Sequence, residues 1–148
     1  MPDTYETAPL VERMTDLVPH AAALGMELIS VKEGRGVMRV AWRDDLVGDP
    51  DAGVIASGVV TALIDHTCGL AINAAFAQPM PIATLDLRID YMRSAAPGAG
   101  VTCEAHGYKV TRSIGFVRAE AWDTDRADPV ATAQATFMLN PRGPVEAS

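Results

Sequence analysis

Asp65, His66 and Cys68 are the ionisable side chains in the middle of an apolar stretch over residues 54–77, VIASGVVTALIDHTCGLAINAAFA. An ionised carboxylate in such a stretch loses hydration, so it must be paired, hydrogen-bonded, shifted in pKa or open to a cleft where it works. Asp65 is therefore the residue on which chemistry is expected, as a general base or as a nucleophile. The competing structural reading pairs it with a strand arginine such as Arg88 or Arg93. His66 faces about 100° away on a helix, which suits a hydrogen-bonded core or interface histidine. The same divergence argues against a metal held by Asp65, His66 and Cys68. Cys68 and Cys103 have no CxxC spacing and no basic neighbour in sequence, and read as buried, inert thiols.

The stretch that carries Asp65 is long enough to span a bilayer, but Ala, Gly, Thr, Ser and Asn are as frequent in it as Leu and Ile. An Asp-His pair at a bilayer centre would also be costly. A helix buried in a soluble domain is the better reading. If it starts near Ser57, with the Ser57 hydroxyl as cap, the first-turn N–H groups of Gly58 or Val59 point outward as donors to a carbonyl oxygen. Gly58 lacks a side chain to hold a ligand away, and the helix dipole favours negative charge there. Asp65 lies two turns on, along the stripe of Ser57 and Thr61, so Thr61 is placed to orient it.

Around that helix the chain reads as an α+β domain. Leu10, Val11, Met14 and Leu17 give a short N-terminal helix over about residues 5–16, and a helical turn over 19–24 stops at Gly25. Residues 26–32 and 37–42 form a β-hairpin, and 43–53, RDDLVGDPDAG, a loop. Strands over 82–93, 101–111, 114–122 and 130–139 follow as an antiparallel meander. Leu85, Leu87, Ile89 and Tyr91 alternate with Thr84, Asp86, Arg88 and Asp90, while Ala131, Ala133, Ala135, Phe137 and Leu139 mark a second inward face. Gly58, Ala62, Gly69 and Ala71 would let helix and sheet approach closely. A curved sheet wrapped around one central helix is the outline of a hotdog fold.

The 148 residues suit one domain, with a core over about 26–140 and a flexible C-terminal tail. A net charge of −7 with interspersed signs argues against nucleic acid or an anionic membrane as partner. The N-terminal residues show no basic n-region or apolar h-region, so no signal peptide and a cytoplasmic protein are expected.

Two segments, GVIASGVVTALIDHTCG over 53–69 and ATLDLRIDYMRSAAPG over 83–98, resemble the PaaI-like acyl-CoA thioesterases of the hotdog superfamily. The first is similar to the pattern G-x-x-H-G-G-x-x-x-x-L-x-D, the second to T-x-D-x-x-I-x-Y-x-R-P-A. The resemblance covers about residues 46–139 and implies hydrolysis of acyl-CoA without metal or redox cofactor, at a site between two subunits of a homodimer, or within a homotetramer. Carried over, the catalytic carboxylate falls on Asp65 and the second glycine on Gly58. Ala56 and Ser57 replace the family His and Gly. A hydroxyl that helps to position water falls at Thr84, or is lost at Ala83, depending on one residue of loop length. Ser57, Val59 and Thr61 line the expected substrate site. Arg93, Arg112, Lys109 and Arg118 are candidates for contacts with the phosphates of CoA.

Two other functions compete with hydrolysis. A non-catalytic acyl-CoA-binding or regulatory hotdog protein is supported by Ala56. A hydratase or dehydratase would need a D-x-x-x-x-H arrangement, but the residue five after Asp65 is Leu70.

Overall fold

A computed structural model of the chain describes residues 15–76 and 79–140. Apart from Thr15 and Asp16, the helix expected over 5–16 lies outside the described residues, as does the expected tail beyond Asn140. The elements are α1 (Pro19–Ala23), β1 (Met26–Lys32), β2 (Arg35–Val40), a 3-10 turn (Asp44–Leu46), β3 (Val47–Asp49), β4 (Val54–Ile55), α2 (Ser57–Asn73), β5 (Ile82–Tyr91), β6 (Val101–Val110), β7 (Ile114–Trp122) and β8 (Ala131–Leu139). Pro19 opens α1, where its missing N–H has no helical partner to lose. The β1–β2 hairpin turns through Glu33 and Gly34, both at positive φ, the geometry that matches the twist of the flanking strands.

Six strands form one antiparallel sheet in the order β1-β2-β6-β7-β8-β5. The meander expected of the last four strands therefore holds only for β6, β7 and β8; β5 crosses to the far edge and pairs with β8. The crossing lets β6 enter beside β2, where a Cβ on Gly100 would stand 2.5 Å from the Val40 carbonyl oxygen. The expected loop over 43–53 contains more order than its Asp, Gly and Pro content suggests. Its 3-10 turn leads into β3, which pairs with β4, and the Ala56 N–H donates to the Leu46 carbonyl at 2.8 Å.

Helix α2 packs mainly on β6, β2 and β7. Leu63, Ile64, Cys68, Ala71 and Ile72 are fully buried against Met38, Val40, Cys103, Ala105 and Val117. Close approach comes mostly from the sheet side rather than from the helix glycines: a Cβ on Gly115 would stand 2.5 Å from Ile72, whereas one on Gly58 would meet nothing within 4 Å. The alanines of β8 face inward as expected. Because α2 leans toward β6 and β2, its face toward β5 and β8 is only partly covered, and Asp65 and Gly69 lie there, half-buried.

Candidate active site

The site is built on one stripe of α2. Gly58 and Asp65 are seven residues apart, nearly two full turns, so they share a face and are separated by about 10 Å along the axis. The Asp65 carboxylate accepts a hydrogen bond from the Thr84 hydroxyl, Oγ1 to Oδ1 2.9 Å. Simple alternation would turn Thr84 outward with Asp86 and Arg88. A bulge resolves the conflict: Thr84 lies opposite Phe137 and Asp86 opposite Thr136, so Leu85 is an extra residue on β5. The inward set is then Ile82, Thr84, Leu87, Ile89 and Tyr91, and Leu85, expected inward, is 50% exposed.

Beside this pair is a cavity of about 220 Å³ lined by Asp65, Thr84, His66, Gly69, Ile82 and Phe137, with Val18, Leu70 and Asn73 completing the wall. It is largely apolar away from Asp65 and Thr84. His66 shares a hydrogen bond with the Thr15 hydroxyl, Nε2 to Oγ1 3.3 Å, in line with a structural histidine. Burial lowers its pKa, and the neighbouring Asp65 charge opposes that shift.

The start of α2 differs from expectation. Ala56, in extended geometry, is the N-cap and supplies no side-chain bond, while Ser57 is already the first helical residue. The pull of Ala56 onto Leu46 sets this start, so the Ser57 hydroxyl does not cap the helix. Among the described residues the N–H groups of Ser57 and Gly58 have no acceptor, whereas that of Val59 donates to the Ala56 carbonyl at 3.0 Å. Thr61 does not orient Asp65. Its hydroxyl donates to the Ser57 carbonyl at 3.0 Å and touches the Tyr91 hydroxyl, which also donates to Ser57 at 3.0 Å. Tyr91 thus ties the first turn of α2 to β5, a role the sequence did not signal beyond its inward parity. Ser57 and Tyr91 border a second cavity of about 630 Å³, next to Ala56, Val60 and Arg93. No residue lines both cavities.

The candidate phosphate-binding cations are dispersed. Arg93 makes a bidentate pair with Asp123 at 2.8 and 2.7 Å and also donates to the Asp128 carbonyl at 2.7 Å. Asp123 is buried and accepts the Ala96 and Thr124 N–H groups as well, both at 2.7 Å. Arg93 foremost holds the Asp123 carboxyl well below the usual range. Arg112 stands exposed in the β6–β7 turn. Lys109 and Arg118 belong to the sheet face turned away from α2, where Arg118 lies 4.4 Å from the centre of the Tyr108 ring. No group of three His, Cys, Asp or Glu able to hold a metal occurs among the described residues. No described helix is long and apolar enough to cross a membrane.

The fold agrees with what the chain is similar to. The Thioesterase superfamily model matches residues 52–130. A protein from Pseudomonas aeruginosa is 32% identical, with a TM-score of 0.80 over 86% of this chain and 95% of its own. A point mutant of the phenylacetic acid degradation protein PaaI from Thermus thermophilus is 28% identical, with a TM-score of 0.70 over 81% and 97%. The E. coli PaaI protein from the phenylacetic acid degradation operon shares the fold at 19% identity, TM-score 0.78, over 92% of each chain. Among curated proteins none matches. The chain belongs to the thioesterase superfamily, and within it is a PaaI-like hotdog protein.

Proposed function

We propose that this protein hydrolyses acyl-CoA thioesters to the free acid and CoA. Superfamily membership supports thioester hydrolysis in general. The observation that carries the finer reading is the Thr84–Asp65 hydrogen bond at the mouth of an apolar cavity. A carboxylate held this way can take a proton from water as the water oxygen attacks the thioester carbon, and the CoA sulfur leaves and is protonated. Alternatively it attacks the carbon itself, and water then hydrolyses the mixed anhydride. In either route the carbonyl oxygen gains negative charge, and the Gly58 N–H at the positive end of α2 is the donor we assign to it. Ser57, Val59 and Thr61 shape the approach to that donor.

One copy does not bring these parts together. Carboxylate and amide are about 10 Å apart along α2, and Gly58 does not line the cavity beside Asp65, while a carbonyl oxygen must lie within about 3 Å of its donor. We therefore propose that a second copy completes the site, with Gly58 of one subunit facing the Asp65 of the other. Edge strand β5 presents unpaired backbone groups suited to that association. Arg112 is free to meet a CoA phosphate, whereas Arg93 would do so only by releasing Asp123. Ala56, which supplies no side-chain group at the helix entrance, keeps the non-catalytic acyl-CoA binder as the second reading. Thiol release from a panel of acyl-CoAs separates the two: hydrolysis gives a stoichiometric signal, and binding without any thiol release supports the binder.

A further inference from the structure

The carbonyl of Ser57 carries more donors than its place in the helix requires. Ser57 is the first residue of α2, so its oxygen already accepts the Thr61 N–H in the ordinary helical pattern. The groups left without partners at a helix N-terminus are N–H groups, not carbonyls. Yet two hydroxyls converge on this oxygen, that of Thr61 at 3.0 Å and that of Tyr91 at 3.0 Å, and they also touch each other. Tyr91 is 45% exposed, so water is open to its hydroxyl as a partner. A helical threonine that bonds back to the preceding turn slightly weakens a helix. Neither bond is needed to complete the first turn.

That oxygen belongs to the same peptide unit as the Gly58 N–H, since the carbonyl of one residue and the amide of the next share one delocalised plane. Protons held against the oxygen draw electron density away from the nitrogen, which makes the N–H a stronger donor at the other end of the unit. The two hydroxyls reinforce each other, because a hydroxyl that accepts a hydrogen bond donates its own proton more strongly. Whichever of them donates to the other, the pair presents an O–H to the Ser57 oxygen. At the opposite end the Gly58 N–H has no acceptor among the described residues, and a Cβ on Gly58 would meet nothing within 4 Å. The described residues therefore leave this donor open to a ligand.

We infer that Tyr91 and Thr61 are positioning residues for thioester hydrolysis, acting through the Ser57–Gly58 peptide to hold and polarise the N–H that receives the negative charge of the carbonyl oxygen. This role rests on Gly58 being that donor, as proposed for the hydrolysis. Ala56 supplies no side-chain bond to the first turn, and the donor peptide is fixed from its carbonyl side instead. The contact that ties α2 to β5 thereby also tunes the donor. Losing an oxyanion donor outright costs about 10² to 10³ in kcat, and a neighbouring bond strengthens a hydrogen bond by about 10–30%, so each hydroxyl is expected to carry roughly a two- to eightfold share of kcat.

The test reads the peptide and the turnover together in the full chain. Ser57-Gly58 is the only Ser-Gly step in the sequence, so protein labelled with ¹³C at serine carbonyls and ¹⁵N at glycine shows this one peptide as a single coupled signal by NMR. Tyr91→Phe, which keeps the ring, is expected to move both the Ser57 ¹³C and the Gly58 ¹⁵N upfield. In thiol release it is expected to lower kcat roughly two- to eightfold, with KM for the acyl-CoA nearly unchanged. Thr61→Val should act in the same direction and serves if Tyr91→Phe impairs folding. The double variant should lose more than either, and Thr61→Ser, which keeps a hydroxyl, should regain most of the loss. A purely structural tie would lower the melting temperature while both signals and kcat stayed as in wild type, and that result overturns the inference. So do moved signals with wild-type kcat. If wild type releases no thiol from any acyl-CoA of the panel, the hydrolysis itself fails and the signals alone decide: upfield movement in Tyr91→Phe upholds the polarised peptide, and unmoved signals overturn it.

Discussion

Replacing Thr84 by Val keeps the branched shape that opposes Phe137 and removes only the hydroxyl that donates to Asp65 at 2.9 Å. A hydrogen bond to a charged group contributes about 1.5–3 kcal/mol, and the half-buried position of Asp65 places this bond in the lower part of that range. If the hydroxyl aims the carboxylate in the transition state, about 1.5–2 kcal/mol corresponds to a fall in kcat of roughly 10- to 30-fold. KM should move little, because the hydroxyl removed is bonded to Asp65 and the methyl that replaces it leaves the cavity wall with the same shape. Thr84→Ser retains the donor and should stay within about threefold of wild type. The assay is thiol release at saturating acyl-CoA, with melting temperatures run alongside. Wild-type kcat in Thr84→Val, or an equal fall in Thr84→Ser, would refute the claim that Thr84 acts through its bond to Asp65.

A Cβ at Gly69 would stand 3.2 Å from Ile82 and 3.7 Å from Phe137, in the cavity beside Asp65. Gly69→Ala is thus expected to raise KM for bulky acyl groups more than for small ones, while a helix-propensity gain of about 1 kcal/mol offsets the crowding; a uniform KM across the panel would contradict this. Burial pushes the Cys103 thiol up to about 12 and that of Cys68 well above its usual value, so native protein at about pH 8 should not react with a thiol reagent until it is denatured, and rapid labelling would contradict it. The lowered pKa of His66 means that below about pH 6.5 the unfolded chain takes up its proton first, so stability falls as pH drops through that window. The melting temperature of wild type should accordingly fall more than that of His66→Gln between about pH 7.5 and 5, and parallel curves would contradict it. The Asp123 contribution, from a lowered carboxyl, is lost only below about pH 3.9.

Asp65 was legible because a charge in an apolar helix is expensive wherever it occurs, and β8 because its alanines and Phe137 keep strict alternation. Thr84 was legible only through resemblance. Its parity depends on an extra residue at Leu85, and no Gly or Pro marks that bulge. The place of β5 at the sheet edge was hidden as well, since short turns and alternation do not distinguish a meander from a crossing. Ser57 carries the usual capping side chain, yet Ala56 caps, because the contact of β4 and Ala56 with the 3-10 turn sets where the helix begins. Arg93 shows the general difficulty with surface cations: a guanidinium that reads as phosphate-binding is committed to Asp123, thirty residues away. Tyr91 was seen as an inward residue, but only the tertiary packing reveals that its hydroxyl meets the carbonyl of Ser57.

The central claim is that Asp65 performs the chemistry. Asp65→Asn keeps the shape and an oxygen to accept the Thr84 hydroxyl, and removes the base or nucleophile. Measured by thiol release on the best acyl-CoA of the panel, its kcat should fall by about 10² to 10⁴, with an unchanged melting transition. Wild-type turnover in that folded variant would contradict the account.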